Sequence, residues 1–291
     1  MSIPDMTVYE TIKVERAGQA VWLTFNRPSR RNTFNAVMLK ECGDVIQKVA
    51  ADSECRALII TGMGDTFCLG SDLEFLVDAF EARNIALFRD YLRRLNDLLL
   101  SLEALPVPTI AMVNGSARAA GFELIMACDL VLIAVEASIA DGHTTVSHVP
   151  GAGASQRAAR KIGMQRALEL VWSGRWMTGK EAASCGVALK AVPNAELRST
   201  TEALVSAMAV GSREAVAYIK RSILRGWDLP LRDAVNLEMS HYVEYLATSD
   251  APFVGFRKGQ EARRQLKDRR GSVHQTKETT RSTDERERGD S

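Results

Sequence analysis

Strands alternating with helices over the first two-thirds of the chain, then helices alone, predict an α/β fold with a helical C-terminal appendage. Three observations carry this. Ala57–Thr61, Thr109–Val113 and Leu130–Ala134 are short, continuous apolar runs, as expected of strands covered on both faces. Amphipathic stretches of helical period lie between them, the longest from Ile85 to Leu105 and ended by Pro106 and Pro108. From Ala195 onward the pattern is helical, broken at Gly211-Ser212, at Gly226 to Pro230 and at Ser249 to Pro252.

The elements follow in order. Val8–Val14 and Val21–Phe25 alternate apolar and polar residues around Ala17-Gly18-Gln19, which signals a β-hairpin. A polar loop, Asn26 to Asn32, leads to a helix capped by Asn35, with Val37, Met38, Val45, Ile46 and Val49 on one buried face. Gly62 to Asp65 is a turn. Two short helices, Gly153 to Ile162 and Gln165 to Trp172, are parted by Gly163. Thr178-Gly179-Lys180-Glu181 reads as a capping box opening a third, and Val187–Val192 as a further strand. Three segments result: a core over 1–195, a helical region over 196–266, and a charged tail over 267–291. Val273 is the only aliphatic residue between Gly271 and Ser291, so the tail is expected to be disordered.

Composition excludes several classes. A formal net charge of +1 gives no basic excess for a nucleic-acid surface. No stretch approaches the roughly 20 apolar residues of a membrane span, and the N-terminus lacks a signal-peptide pattern. Five scattered cysteines without a Cys-x-x-Cys pair read as reduced thiols of a cytoplasmic protein, with neither disulfide nor zinc.

The most informative stretch is Asn114 to Gly153. A buried strand enters a turn at Asn114-Gly115 and then a small-residue helix start at Ala119-Ala120-Gly121. Such an arrangement aims backbone N–H groups at one point, a place for negative charge. Glu123 sits among Phe122, Leu124, Ile125 and Met126, where a carboxylate must be paired or line a cavity.

Four blocks in this order carry a family resemblance: Asn26-Arg27-Pro28 with Arg31-Asn32; Phe67-Cys68-Leu69-Gly70-Ser71-Asp72-Leu73; Asn114-Gly115 through Ala119-Ala120-Gly121-Phe122-Glu123-Leu124 with Cys128-Asp129; and Pro150-Gly151-Ala152-Gly153 with Gln156-Arg157. Together they resemble the crotonase superfamily, the enoyl-CoA hydratase/isomerase family, over residues 8 to 265. The resemblance implies a spiral of ββα turns and a C-terminal helical region that forms a homotrimer or a dimer of trimers. It implies an acyl-CoA thioester as substrate, with no other cofactor and no metal. The amides of Ser71 and Ala120 would form the oxyanion hole and Glu123 would be the general acid/base. Arg30, Leu69, Gly70, Asp72, Leu73 and Gly151 would contact substrate or CoA, and Arg31 is a second candidate for the CoA phosphates. Arg257 and Lys258 are candidates for a neighbouring subunit's nucleotide.

Two departures stand out. Ala119-Ala120 replaces a Gly-Gly pair, although glycine alone takes φ > 0 without steric cost. His143 stands where hydratases of this family carry a second glutamate. A histidine can shuttle a proton near neutral pH; the other readings of this segment are a loop histidine without a catalytic part, or Asp141 as the active group. The expected reaction is hydration, dehydration or double-bond isomerisation. The alternatives are thioester hydrolysis, decarboxylation or retro-Claisen cleavage, or a catalytically silent acyl-CoA-binding protein.

Overall fold

A computed structural model describes residues 8–261, 263 and 264. The charged tail expected over 267–291 lies outside the described residues. Strands β1 (Ile12–Ala17) and β2 (Ala20–Phe25) form the hairpin, paired antiparallel from Ile12 opposite Phe25 to Ala17 opposite Ala20. The turn is tighter, and β1 starts later, than the alternation suggested. Helix α1 (Ala36–Ala51) follows, its N-cap Asn35 accepting from the Met38 amide at 2.8 Å. Met38, Val45, Ile46 and Val49 are buried as expected, whereas Val37 is exposed at the helix start.

Three ββα turns come next. In the first, β3 (Ala57–Gly62) leads to β4 (Thr66–Cys68) and to α2 (Leu73–Glu81) and α3 (Ile85–Glu103). In the second, β5 (Thr109–Val113) leads to β6 (Ser116–Arg118) and α4 (Ala120–Ala127). In the third, β7 (Leu130–Ala134) leads to β8 (Ser138–Ala140) and α5 (Ala154–Ile162). Helix α6 (Met164–Ser173), strand β9 (Met177–Thr178), helix α7 (Gly179–Cys185) and strand β10 (Lys190–Val192) close this part, and α8 (Asn194–Met208) and α9 (Arg213–Gly226) follow. The first strands of the three turns, with the β1–β2 hairpin on one side and β10 on the other, build a six-stranded sheet ordered β1-β2-β3-β5-β7-β10. The short second strands build a four-stranded sheet ordered β4-β6-β8-β9. Each turn of chain therefore contributes one strand to each sheet and returns through helix.

The described residues fall into two compact units, divided after Leu224. The second contains α10 (Leu231–Thr248) and is helical again over 251–261. Among the described residues no helix is long and apolar enough to cross a membrane.

The core of the first unit lies between the large sheet and its helices. Phe25 meets both Phe34 and Phe67 edge-on, at centroid distances of 5.5 and 5.8 Å. Thr178 caps α7 by accepting from the Glu181 amide at 3.2 Å, but the Glu181 carboxylate pairs with Arg175 at 2.6 Å. Half of the expected capping box forms.

Polar side chains lock the corners. Asn114 Oδ1 accepts from Thr61 Oγ1 at 3.1 Å and from the Gly62 amide at 3.0 Å, while its Nδ2 donates to the Gly64 carbonyl at 2.9 Å. Asp129 Oδ2 accepts from the Thr109 amide and hydroxyl and pairs with Lys220 at 2.7 Å. Asn114 thus ties the end of β5 to the end of β3, and Asp129 ties the entry of β7 to the start of β5. Asn114→Ala leaves the Gly62 amide and Gly64 carbonyl without these partners, and should cost about 2–3 kcal/mol in urea denaturation, with an unchanged far-ultraviolet spectrum at low urea.

Candidate active site

The described residues of the first unit enclose a cavity of about 730 Å³. Its wall includes Arg30, Leu69, Ser71, Asp72, Leu73, Ala120, Glu123, His143 and Gly151, so residues distant in sequence meet around one space. Gly70 and Asp141 stand behind that wall, and Arg257 and Lys258 are not part of it.

The first corner is built by backbone contact. Gly70 adopts φ +104°, and a Cβ there would sit 3.0 Å from Ala119 Cβ, 3.2 Å from the Arg118 carbonyl and 3.4 Å from the Ala120 nitrogen. Only glycine meets both demands. This brings the Ser71 amide beside the first amide of α4. The Gly70 carbonyl accepts from Phe34 and the Phe34 carbonyl accepts from Asp72, at 2.8 and 2.9 Å, so the Ser71 N–H between them is left free. Ala120 opens α4, where helix geometry provides no acceptor for its N–H.

The Ala-Ala departure has a conformational consequence. Ala119 takes φ 50°, ψ −121°, a region that side chains rarely adopt. Its amide donates to the Asp141 carbonyl at 3.1 Å, and its carbonyl accepts from the Glu123 amide at 2.9 Å. These bonds hold the strained residue, so that Ala120 itself is helical.

Glu123 is 2% exposed. Its Oε1 accepts from the Ala152 amide at 2.7 Å and the Ala154 amide at 3.3 Å. Oε2 makes no hydrogen bond with a described residue and is not a buried orphan, which leaves it to the cavity. Burial pushes the carboxyl above its usual range, against the opposing pull of His143 and the two amides. The turn that supplies those amides is braced by Arg157, which binds Glu103 through two bonds and donates to the Ala152 carbonyl at 2.7 Å. The Gly151 amide has no acceptor among the described residues, and Gly151 faces the cavity.

His143 and Asp141 form a buried pair, with His143 Nδ1 3.0 Å from Asp141 Oδ1. The His143 amide also donates to Asp141 Oδ2 at 3.3 Å. A carboxylate at Nδ1 fixes the proton there and leaves Nε2 as the ring's other nitrogen. Burial pulls the imidazole downward, but the hydrogen bond and charge of Asp141 and the charge of Glu123 together outweigh it. The ring thus stays protonated above its ordinary range. The two readings left open in the sequence, His143 or Asp141, are one unit.

The remaining contacts divide differently. Asp72 pairs with Arg27 at 2.9 Å and caps α2, so its carboxylate is occupied within the protein. Arg30 pairs with exposed Glu74, whereas Arg31 makes no side-chain bond with a described residue. Asn32, wholly buried, accepts from the Arg27 amide and donates to the Met63 and Thr66 carbonyls. It shapes the loop whose Arg31 carbonyl accepts from Leu69.

Other residues near the site carried no motif. His148 stacks at an edge with Phe80 and Phe88 and lines the cavity; burial and the neighbouring His143 lower its acidity range. The Tyr91 hydroxyl is buried and points at Ser71 without a well-formed hydrogen bond. Arg118 also lines the cavity. An arginine within Ser-Ala-Arg-Ala-Ala-Gly, otherwise all small residues, is the signal that could have revealed it. Among the described residues no group of three His, Cys, Asp or Glu could hold a metal ion.

The comparisons with known proteins agree with this arrangement. The family model "Enoyl-CoA hydratase/isomerase" matches residues 15–267. A putative enoyl-CoA hydratase/isomerase of Bacillus subtilis (strain 168), YngF, is 32% identical over 229 residues, 78% of this chain and 86% of that protein. The short-chain-enoyl-CoA hydratase of Clostridium acetobutylicum is 30% identical over 240 residues, 81% of this chain and 90% of that one. The crystal structure of an enoyl-CoA hydratase from Bacillus anthracis superposes with a TM-score of 0.82 at 29% identity, covering 87% of this chain and 97% of the other. With the paired sheets, the free Ser71 and Ala120 amides and Glu123 around one cavity, the chain belongs to the enoyl-CoA hydratase/isomerase family of the crotonase superfamily.

Proposed function

We propose that this protein hydrates enoyl-CoA thioesters, using Glu123 and the Asp141–His143 pair where relatives use two glutamates. The observation that carries the reading is the conjunction of two free amides, Ser71 and Ala120, with a carboxylate and an imidazole on the same cavity wall. The thioester oxygen accepts from both amides. Glu123, ionised, takes a proton from water as the water oxygen bonds to the β-carbon. Electron density moves onto the thioester oxygen as an enolate, where each preorganised donor can contribute about 2.7–4 kcal/mol. Protonated His143 then delivers a proton from Nε2 to the α-carbon, restoring the thioester. Asp141 holds the ring and favours its charged form. The Gly151 amide is placed to orient the water or product hydroxyl. Arg31, free at the mouth, is the cation offered to the CoA phosphates.

A second reading is thioester hydrolysis. The buried Asp141–His143 pair favours it, since an imidazole backed by a carboxylate also suits activation of water toward a carbonyl. Release of free CoA thiol, absent in hydration, separates the two.

The homotrimer is proposed on one feature of the second unit. Leu231, Val235, Met239 and Tyr242 recur at helical spacing along α10 and are all more than half exposed. Self-association would cover that face.

Two experiments test the site. With crotonyl-CoA, Glu123→Gln should lower kcat by roughly 10²–10⁴-fold while binding of a saturated acyl-CoA persists; an unchanged rate would remove Glu123 from the chemistry. The pH profile of kcat/KM should be a bell. Its acid limb reports Glu123, raised above 4.5, and its alkaline limb reports His143, raised above 6.5. The groups facing His143 are Asp141, Glu123, Arg118 and His148. Asp141→Asn removes the dominant support for the imidazolium, so the alkaline limb should move to lower pH and the acid limb much less.

A further inference from the structure

We propose that the preferred substrates are acyl-CoA thioesters whose acyl chain carries a free carboxylate, and that Arg118 binds this group. The proposal deepens the acyl-CoA reading above and rests on it.

Arg118 ends β6, two residues before the Ala120 amide. Ala117 is buried, so alternation turns Arg118 to the opposite face, and its side chain forms part of the cavity wall. There it lies along the turn that carries His143. Nη2 donates to the Gly142 carbonyl at 2.8 Å and to the Thr145 hydroxyl. Gly142 has φ +70°, and a Cβ on it would fall 2.1 Å from Arg118 Nε. The turn thus lacks a side chain where the guanidinium rests. On another side the guanidinium carbon is 5.9 Å from the centre of the Trp176 ring, which also lines the cavity. The group thus has the glycine turn on one side and the indole on another.

Its anchoring uses one nitrogen only. Nη1 and Nε bond to no described residue, and neither is a buried orphan, so both keep accessible surface on a residue that lines the cavity. Among the described residues no carboxylate lies within ion-pairing distance of Arg118. Asp141, the nearest acid on the same turn, is engaged by the ring and amide of His143. The remaining donors, Nε and Nη1, lie on different edges of the guanidinium, and either can give a carboxylate one charge-assisted hydrogen bond from a fixed position. A cavity wall for an unsubstituted hydrocarbon chain needs no cation, and would carry an unpaired charge as a cost. Arg118 shares the wall of His143, whereas Arg30 and Arg31 belong to the loop before α1, so the two cationic groups serve different parts of one ligand.

The test compares enoyl-CoA pairs of matched length, one ending in a methyl group and one in a carboxylate, by kcat/KM. Titration calorimetry with the corresponding saturated thioesters, valeryl- and glutaryl-CoA among them, gives binding apart from turnover. The wild-type protein should favour the carboxylate-ended member at least about tenfold, the discrimination expected from a charge-assisted hydrogen bond. Arg118→Met should collapse that ratio toward or below one, and Arg118→Lys, which keeps the charge but loses the anchored guanidinium plane, should retain part of it. A ratio near one in the wild-type protein overturns the proposal and leaves the acyl-CoA reading standing. A ratio that Arg118→Met leaves unchanged also overturns it, because a purely structural or CoA-phosphate role alters both members alike. If no thioester of either kind binds, the acyl-CoA reading fails and takes this proposal with it.

Discussion

The site depends on one contact between two pieces of backbone, the turn at Gly70-Ser71 and the corner at Ala119-Ala120. A Cβ at position 70 would press on Ala119 Cβ and on the Ala120 nitrogen. The absence of that atom lets two amides from different ββα turns open on one space. Neither amide is specified by its side chain, so this part of the chemistry is written in the path of the chain. The cost appears at Ala119, whose left-sided φ is held by bonds to Asp141 and Glu123.

Most of the motif residues serve that path and do not touch the cavity themselves. Asn32 satisfies three backbone groups inside the loop that precedes α1. Asn114 clips the end of β3 to the end of β5, and Asp129 clips β7 to the start of β5. Arg157, tied to Glu103, presents the turn whose amides face Glu123. Each supplies hydrogen bonds where the chain reverses and the sheet ladder cannot. The polar content of the four blocks follows from this need, while Ser71, Ala120, Glu123 and Gly151 are among the block residues that face the space themselves.

Legibility in the sequence tracked the length and burial of each element. β3, β5 and β7 were readable because four or five apolar residues in a row leave little else to be. β4, β6 and β8 have three residues each, too few for a period of two to register, and the second sheet was therefore invisible without the family resemblance. Helix α2 had only a weak start signal, since its cap, Asp72, is a single polar residue. At the site, Glu123 stood out as a carboxylate among apolar neighbours. The link between Asp141 and His143 did not, since a spacing of two along an irregular turn implies no contact. Tyr91 carried no signal at all, being one more buried position on the apolar face of α3.

Asp141 occupies two structural roles at once. Its carbonyl receives the amide of strained Ala119, and its carboxylate receives the ring of His143. The oxyanion corner and the imidazole are thus mechanically joined through a single wholly buried residue. Displacing either one transmits to the other along a path of two hydrogen bonds. Substitutions on the two sides should therefore be non-additive, each already spending part of the damage that the other would cause.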